Sequence, residues 1–157
     1  VGINPERQAK YDFSEPYIAS KAALVVKNDN TDITSFESLS GKKAAQSLTS
    51  NFGKLAESYG AELVGTEGFD QSIALVIQGR ADATINDSLS FYDFKTHQPD
   101  APVKIVATAD DADFSGVLLA KGKPELLAAI NQALEEIKAD GTYAEISEKY
   151  FGEDVSQ

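Results

Sequence analysis

Apolar positions in this chain switch repeatedly between two spacings, and the switches mark its elements. Val1 to Ile3 reads as the end of a strand, and Pro5 with Glu6 and Arg7 opens one short helical turn. Ala22 to Val26 is a compact apolar run rich in β-branched residues, which predicts a buried strand. Asn28 to Asp32 is polar and loop-like, and Ser35 caps a short turn that runs through Leu39 and ends at Gly41. A regular alternation follows. Lys43 to Gln46 is a short strand, and Ser50 or Asn51 caps a helix that runs to about Tyr59 and closes at Gly60. Glu62 to Val64 is strand-like. Asp70 then starts a helix with Ile73, Ala74 and Ile77 on one face, ended by Gly79. Ala83 to Ile85 is a strand, Asp87 starts a helix through about Phe94, and Val103 to Ala107 is again a strand. After the acidic stretch Asp110 to Asp113, Val117 to Ala120 is an apolar strand. Pro124 opens a helix with Leu126, Leu127, Ile130, Leu134 and Ile137 at helical spacing on one face. Gly141 ends it, and a last helix runs from Thr142 and Tyr143 to about Tyr150, with Ile146 and Tyr150 four apart.

Strand, helix, strand in this order predicts an α/β fold with a mostly parallel sheet covered by helices. Two strands, at roughly 17–26 and 114–120, flank the block. A block inserted between two crossing strands is how a two-lobed protein with a double hinge is built. The expected division is therefore 1–20 as a remnant of lobe one, 21–112 as a complete lobe two, and 113–157 as the C-terminal part of lobe one.

Composition narrows the function classes. The 157 residues are 42% hydrophobic and 25% charged, enough for a core in an ordinary globular chain. The net charge of −11 speaks against nucleic acid and anionic membrane surfaces, which are bound by clustered Lys and Arg. With no Cys there is no disulfide, thiolate nucleophile or Cys-ligated zinc. No apolar run approaches the roughly 18 residues of a membrane span, and no signal peptide is visible. The absence of Met and the start at Val1 fit a processed chain or a fragment.

Three places carry candidate chemistry. Arg7 presents a planar fork that matches a carboxylate, although an Arg so placed is also an ordinary surface charge. Gln46 to Asn51 joins a strand to a helix start, where free backbone N–H groups and the hydroxyls of Ser47, Thr49 and Ser50 could cradle an anion; plain capping is the alternative. Asp87 stands after a strand and at a helix start, placed either to receive an ammonium group or to cap. In an open α/β sheet, ligands bind beyond the carboxyl ends of the strands, and that position raises all three candidates. His97, the one histidine, precedes a turn signal and reads as an exposed loop residue. There is no G-x-S-x-G, P-loop or metal-ligand spacing and no carboxylate dyad, so nothing nominates a catalytic residue, a cofactor or a metal.

Five stretches occur in the order and spacing of a known family. They are Ile3-Asn4-Pro5-Glu6-Arg7 with Tyr11 to Tyr17, Leu39-Ser40-Gly41-Lys42-Lys43, Gly79-Arg80-Ala81-Asp82-Ala83 through Asn86-Asp87, Lys138 to Tyr143, and Lys149-Tyr150-Phe151-Gly152. Together they resemble the type 2 periplasmic solute-binding proteins of ABC importers for polar amino acids, over essentially the whole chain. The wording Ala45 to Asn51 with Thr84-Ile85-Asn86-Asp87 is most similar to the cystine- or cysteine-binding branch.

The resemblance implies a two-lobed clamp that closes on one amino acid. It gives Arg7 the ligand α-carboxylate and Asp87 the α-ammonium. A Gly-Thr-Thr segment of the family falls on Thr49, Ser50 and Asn51, where Gly and the second Thr are replaced. A hydroxyl residue common after the first strand is replaced by Gly2, which leaves a backbone contact only. The resemblance further implies a membrane permease as partner, an extracytoplasmic location, no catalysis, and a lobe-one segment ahead of Val1. Without that segment the lobe-one pieces are expected to expose apolar surface and strand edges, and to pair with a second copy as a swapped homodimer. A dehydratase built on the same clamp, or the sensing domain of a receptor, are the alternative functions.

Overall fold

Asn4 and Pro5 set the first helix: the Asn4 side chain accepts the Arg7 N–H at 2.8 Å, and Pro5 fills the first helical position. The computed structural model describes residues 1–156. In chain order the elements are α1 (Pro5–Lys10), β1 (Tyr11–Phe13), β2 (Ile18–Ser20), β3 (Ala22–Lys27), a 3-10 turn (Phe36–Leu39), β4 (Lys43–Gln46), α2 (Asn51–Ser58), β5 (Glu62–Gly65), α3 (Phe69–Ile77), β6 (Ala83–Asp87), α4 (Ser88–His97), β7 (Val103–Thr108), β8 (Asp113–Ser115), β9 (Leu118–Ala120), α5 (Pro124–Ala139) and α6 (Thr142–Phe151). They divide into two compact units: Val1–Ser20 with Asp111–Gln157, and Lys21–Asp110.

The Lys21–Asp110 unit is a five-stranded sheet in the order β5-β4-β6-β3-β7. β5, β4 and β6 are parallel to one another, and β3 is antiparallel to both β6 and β7. The strands linked through helices therefore all run one way, as the alternating pattern predicts. The single reversed strand, β3, is inserted between β6 and β7 and makes the sheet mixed. Leu24 and Val26 pack on one face with Ile33, Leu39 and Ile85; Val25 packs on the other with Ile73, Val76, Phe91 and Phe94. Both faces are covered, which is why β3 reads as an unbroken apolar run.

Within this unit two expectations are corrected. The buried residues of α3 are Ser72, Ile73, Leu75 and Val76, while Ala74 and Ile77 are only half-buried. The helix is apolar from Ile73 to Ile77, so spacing alone does not choose its inner face. α4 runs on to His97, which is exposed at the helix end rather than in the loop, with Nδ1 2.9 Å from the Asp93 carbonyl.

The other unit is built differently. The expected strand 17–26 is broken at Lys21: β2 pairs with β8, and β3 belongs to the five-stranded sheet. The expected strand 114–120 is broken at Gly116 and Val117, because β8 pairs with β2 and β9 pairs with β1. Gly116 passes so close to Ser14 that a Cβ there would lie 3.1 Å from the Ser14 carbonyl oxygen. Next to it the Val117 N–H donates to Ser14 Oγ at 2.9 Å, a side-chain bond where a strand ladder would continue. Val1 to Ile3 forms a single bridge, Gly2 opposite Ser115, rather than a strand end.

This unit has little core. Among the described residues it buries Ala19, Leu119 and Val155, and the other buried apolar side chains all belong to Lys21–Asp110. No residue of α5 is fully buried. Leu127, Ile130, Leu134 and Ile137 are half-buried, whereas Leu126, expected on the same face, is 49% exposed. Ile146 and Tyr150 of α6 also face outward, and the buried residue there is Ser147. An open apolar groove of about 330 Å³ runs between α5, α6 and the strands, lined by Ile18, Val117, Leu134, Ile137, Ile146, Phe151 and their neighbours.

Candidate functional site

In the first unit Arg7 sits on the exposed side of α1. Its Nη1 donates to the Gly2 carbonyl at 2.8 Å. A guanidinium has five N–H donors, so this bond anchors the group and leaves most of its fork open. A Cβ at Gly2 would lie 3.4 Å from Arg7 Nη1, an ordinary contact, so the approach does not itself demand glycine. Neither Arg7 nor Arg80 has a carboxylate within ion-pair distance among the described residues. Arg7 differs from Arg80 in being held by a backbone carbonyl.

In the second unit the parallel pairing of β4 with β6, Ala44 opposite Ala83, brings the carboxyl ends of both strands to one edge of the sheet. The turn 47–50 follows β4 there. Ser50 caps α2: its Oγ accepts the Gly53 N–H at 3.0 Å and donates to the Ser47 carbonyl at 2.8 Å. The one proton of that hydroxyl is thus used inside the turn, and capping accounts for Ser50. Gly53 lets the turn close down, because a Cβ there would lie 2.9 Å from the Ser47 carbonyl oxygen. The Thr49 and Asn51 side chains are exposed and make no bond among the described residues. With the Ser47 hydroxyl, which also makes no bond among the described residues, and the N–H groups of the first turn of α2, they are the donors left for an anion.

Asp87 ends β6 and caps α4. Its Oδ1 accepts the Leu89 N–H at 2.8 Å, and its own N–H donates to Asn86 Oδ1 at 2.8 Å. The carboxylate is fixed through one oxygen, and Oδ2 has no hydrogen-bond partner among the described residues. Below it, Thr84 Oγ1 donates to the Ala45 carbonyl at 2.8 Å and locks β6 to β4. The structure thus groups Gly2 with Arg7 in one unit, and Thr49, Ser50 and Asn51 with Asp87 at one sheet edge in the other.

Leu48 was not singled out by the sequence. It is 63% exposed in the same turn and is the large apolar side chain that the second unit leaves in solvent. It lies against Gly65, where a Cβ would stand 3.3 Å from Leu48 Cδ1. One Leu in a polar turn has no periodicity, so no sequence signal marks it. Among the described residues no group of three or more His, Cys, Asp or Glu side chains is placed to hold a metal.

The model of the bacterial extracellular solute-binding proteins, family 3, matches residues 1–153. The chain belongs to this family. The L-cystine-binding protein TcyA of Bacillus subtilis is 43% identical over 152 residues, which is 97% of this chain and 57% of that protein. The L-cystine-binding protein TcyJ of Escherichia coli K12 is 36% identical over 160 residues, 100% of this chain and 60% of that one. The L-cystine solute receptor of Neisseria gonorrhoeae, solved in its unliganded open conformation, superposes with a TM-score of 0.90 at 47% identity, covering 98% of this chain and 65% of that structure. The fold of this family 3 chain is that of the type 2 periplasmic binding proteins, as the sequence motifs imply. It spans less than two thirds of the length of these relatives. No helix among the described residues is long and apolar enough to cross a membrane.

Proposed function

We propose that this chain binds a polar α-amino acid, L-cystine foremost, as the extracytoplasmic solute-binding part of an ABC importer, and that it delivers the ligand to a membrane permease without catalysing a reaction. The observation that carries the reading is the Arg7 guanidinium, anchored at 2.8 Å on the Gly2 carbonyl with its fork open. A zwitterion needs such a cation at one end and a fixed anion at the other. Asp87, held through Oδ1 with Oδ2 open, supplies the anion. Thr49, Asn51 and the first turn of α2 add donors for the carboxylate, Ser50 shapes that turn, and Gly2 acts through its carbonyl. Burying charged ligand ends is tolerable only when each is paired in this way. Two relatives that are named for L-cystine binding support the choice of ligand.

The test is a thermal-shift and calorimetric screen of the common amino acids with L-cystine. Ligand present at about 100 times its Kd adds about 2.7 kcal/mol to the stability of the binding state. A selective rise of Tm with L-cystine is the expected result. A flat response to every amino acid, or turnover of a prephenate-like acid, would overturn the reading.

The 157-residue chain is also expected to pair with a second copy through the first unit. Among the described residues that unit buries only Ala19, Leu119 and Val155 of its apolar side chains, leaves Tyr11, Phe114, Leu126, Ile146 and Tyr150 exposed, and carries only two-stranded sheets, with open edges, beside its helices. Light scattering across a dilution series should show a mass that rises from monomer toward dimer with concentration. A monomer mass at every concentration counts against the pairing.

A further inference from the structure

Beside Asp87 lies a bonded pair that the roles assigned so far do not use. Asp87 is opposite Ala22, the first residue of β3. One step outside that pair, the Lys21 N–H donates to Ser88 Oγ at 3.1 Å, and the Ser88 N–H donates to the Lys21 carbonyl at 2.8 Å. Ser88 is only 6% exposed, so its hydroxyl is a buried acceptor that serves a backbone group 67 residues away in the chain. Lys21 is also the first residue of its compact unit.

The consequence for Asp87 is geometric. Its carboxylate orientation depends on the peptide planes on either side of it. Asn86 Oδ1 fixes the plane before, by accepting the Asp87 N–H. The Ser88 N–H, donated to the Lys21 carbonyl, fixes the plane after, and the Ser88 hydroxyl holds that same Lys21 backbone by accepting its N–H. The Leu89 N–H can then take Oδ1, with Oδ2 left without a hydrogen-bond partner among the described residues. If the Ser88 hydroxyl is removed, the Lys21 N–H loses its acceptor and the start of α4 loses one of its two ties to Lys21, the residue just before β3. Asp87 then samples more orientations.

We infer that Ser88 is a positioning residue for the ammonium-binding Asp87 carboxylate, acting through its reciprocal bonds with Lys21. The inference rests on the amino-acid reading above. The experiment measures calorimetric affinity for L-cystine, or for the tightest binder of the screen, in wild type, Ser88→Ala, Ser88→Thr, Asp87→Asn and the Ser88→Ala/Asp87→Asn double variant. Ser88→Ala should weaken binding about tenfold, the scale of one lost positioning hydrogen bond. Ser88→Thr, which keeps the hydroxyl, should stay within about twofold of wild type by the same scale. In the Asp87→Asn background Ser88→Ala should cost nothing further, because the group it positions is gone. An equal loss in both backgrounds, or no loss in either, overturns the inference. A second measurement does not depend on how the variants fold: in the wild type, hydrogen exchange at the Lys21 amide should slow when ligand is added, and unchanged exchange overturns the inference as well. A wild type that binds no amino acid overturns the parent reading, and this inference falls with it; binding that Ser88→Ala leaves intact overturns this inference alone.

Discussion

Arg7→Ala should abolish measurable amino-acid binding while leaving the fold intact. Truncating one partner of a desolvated, hydrogen-bonded charge pair costs about 2–5 kcal/mol, or roughly 30-fold to several thousand-fold in Kd. The folded chain itself depends little on this side chain. Arg7 is exposed and, among the described residues, makes no ion pair and one side-chain bond, to the Gly2 carbonyl. The Tm without ligand should therefore move by no more than an exposed substitution usually gives, within about 0.5 kcal/mol. Arg7→Lys keeps the charge but loses the fork, so it should bind more weakly than wild type and more tightly than Arg7→Ala. Arg80→Ala is the control, since Arg80 is also exposed but lies in the other unit. Calorimetry on the four proteins checks the expectation. Equal affinity in wild type and Arg7→Ala would remove Arg7 from the site.

The second large effect concerns stability and falls unevenly on the two units. Leu24→Ala should cost about 3–4 kcal/mol, in the range for a fully buried Leu that leaves a cavity. Leu24 has no exposed surface and lies in β3 between β6 and β7, packed with Ile33, Leu39 and Ile85. The neighbouring elements are tied by ladders on both sides of β3 and cannot collapse into the gap. Leu134→Ala should cost less than about 1 kcal/mol, because the side chain lines an open groove and removes little surface from water. Urea unfolding of both variants tests the contrast. Equal losses would mean that the α5 face is covered in solution, most directly by a second copy, and light scattering on the same samples would show it.

Different parts of the chain were legible in the sequence to different degrees, for physical reasons. From Ala22 to Thr108 nearly every element follows from local pattern. β3 is apolar throughout because both of its faces are covered. Ser50 and Asp87 cap their helices because short oxygen-bearing side chains satisfy the first free N–H groups. Gly41, Gly60 and Gly79 take the positive φ that ends a turn or helix. The type of fold, the family and the candidate positions Arg7, Thr49 to Asn51 and Asp87 could also be named from residue order alone.

Tertiary structure decided what depends on partners remote in the chain. β1 has three residues and no pattern of its own; it exists because Leu118 to Ala120 lies opposite. The breaks at Lys21 and at Gly116–Val117 arise where a strand changes partner, which no local run of residues encodes. The inner face of α3, the anchoring of Arg7 on Gly2, the exposure of Leu48 on Gly65 and the tie between Ser88 and Lys21 are set by contacts across the fold. α5 shows the division most plainly. Its sequence specifies an amphipathic helix from Pro124 to Ala139, and the helix forms. How far its apolar face is buried is decided only by what packs against it, and here that packing is shallow.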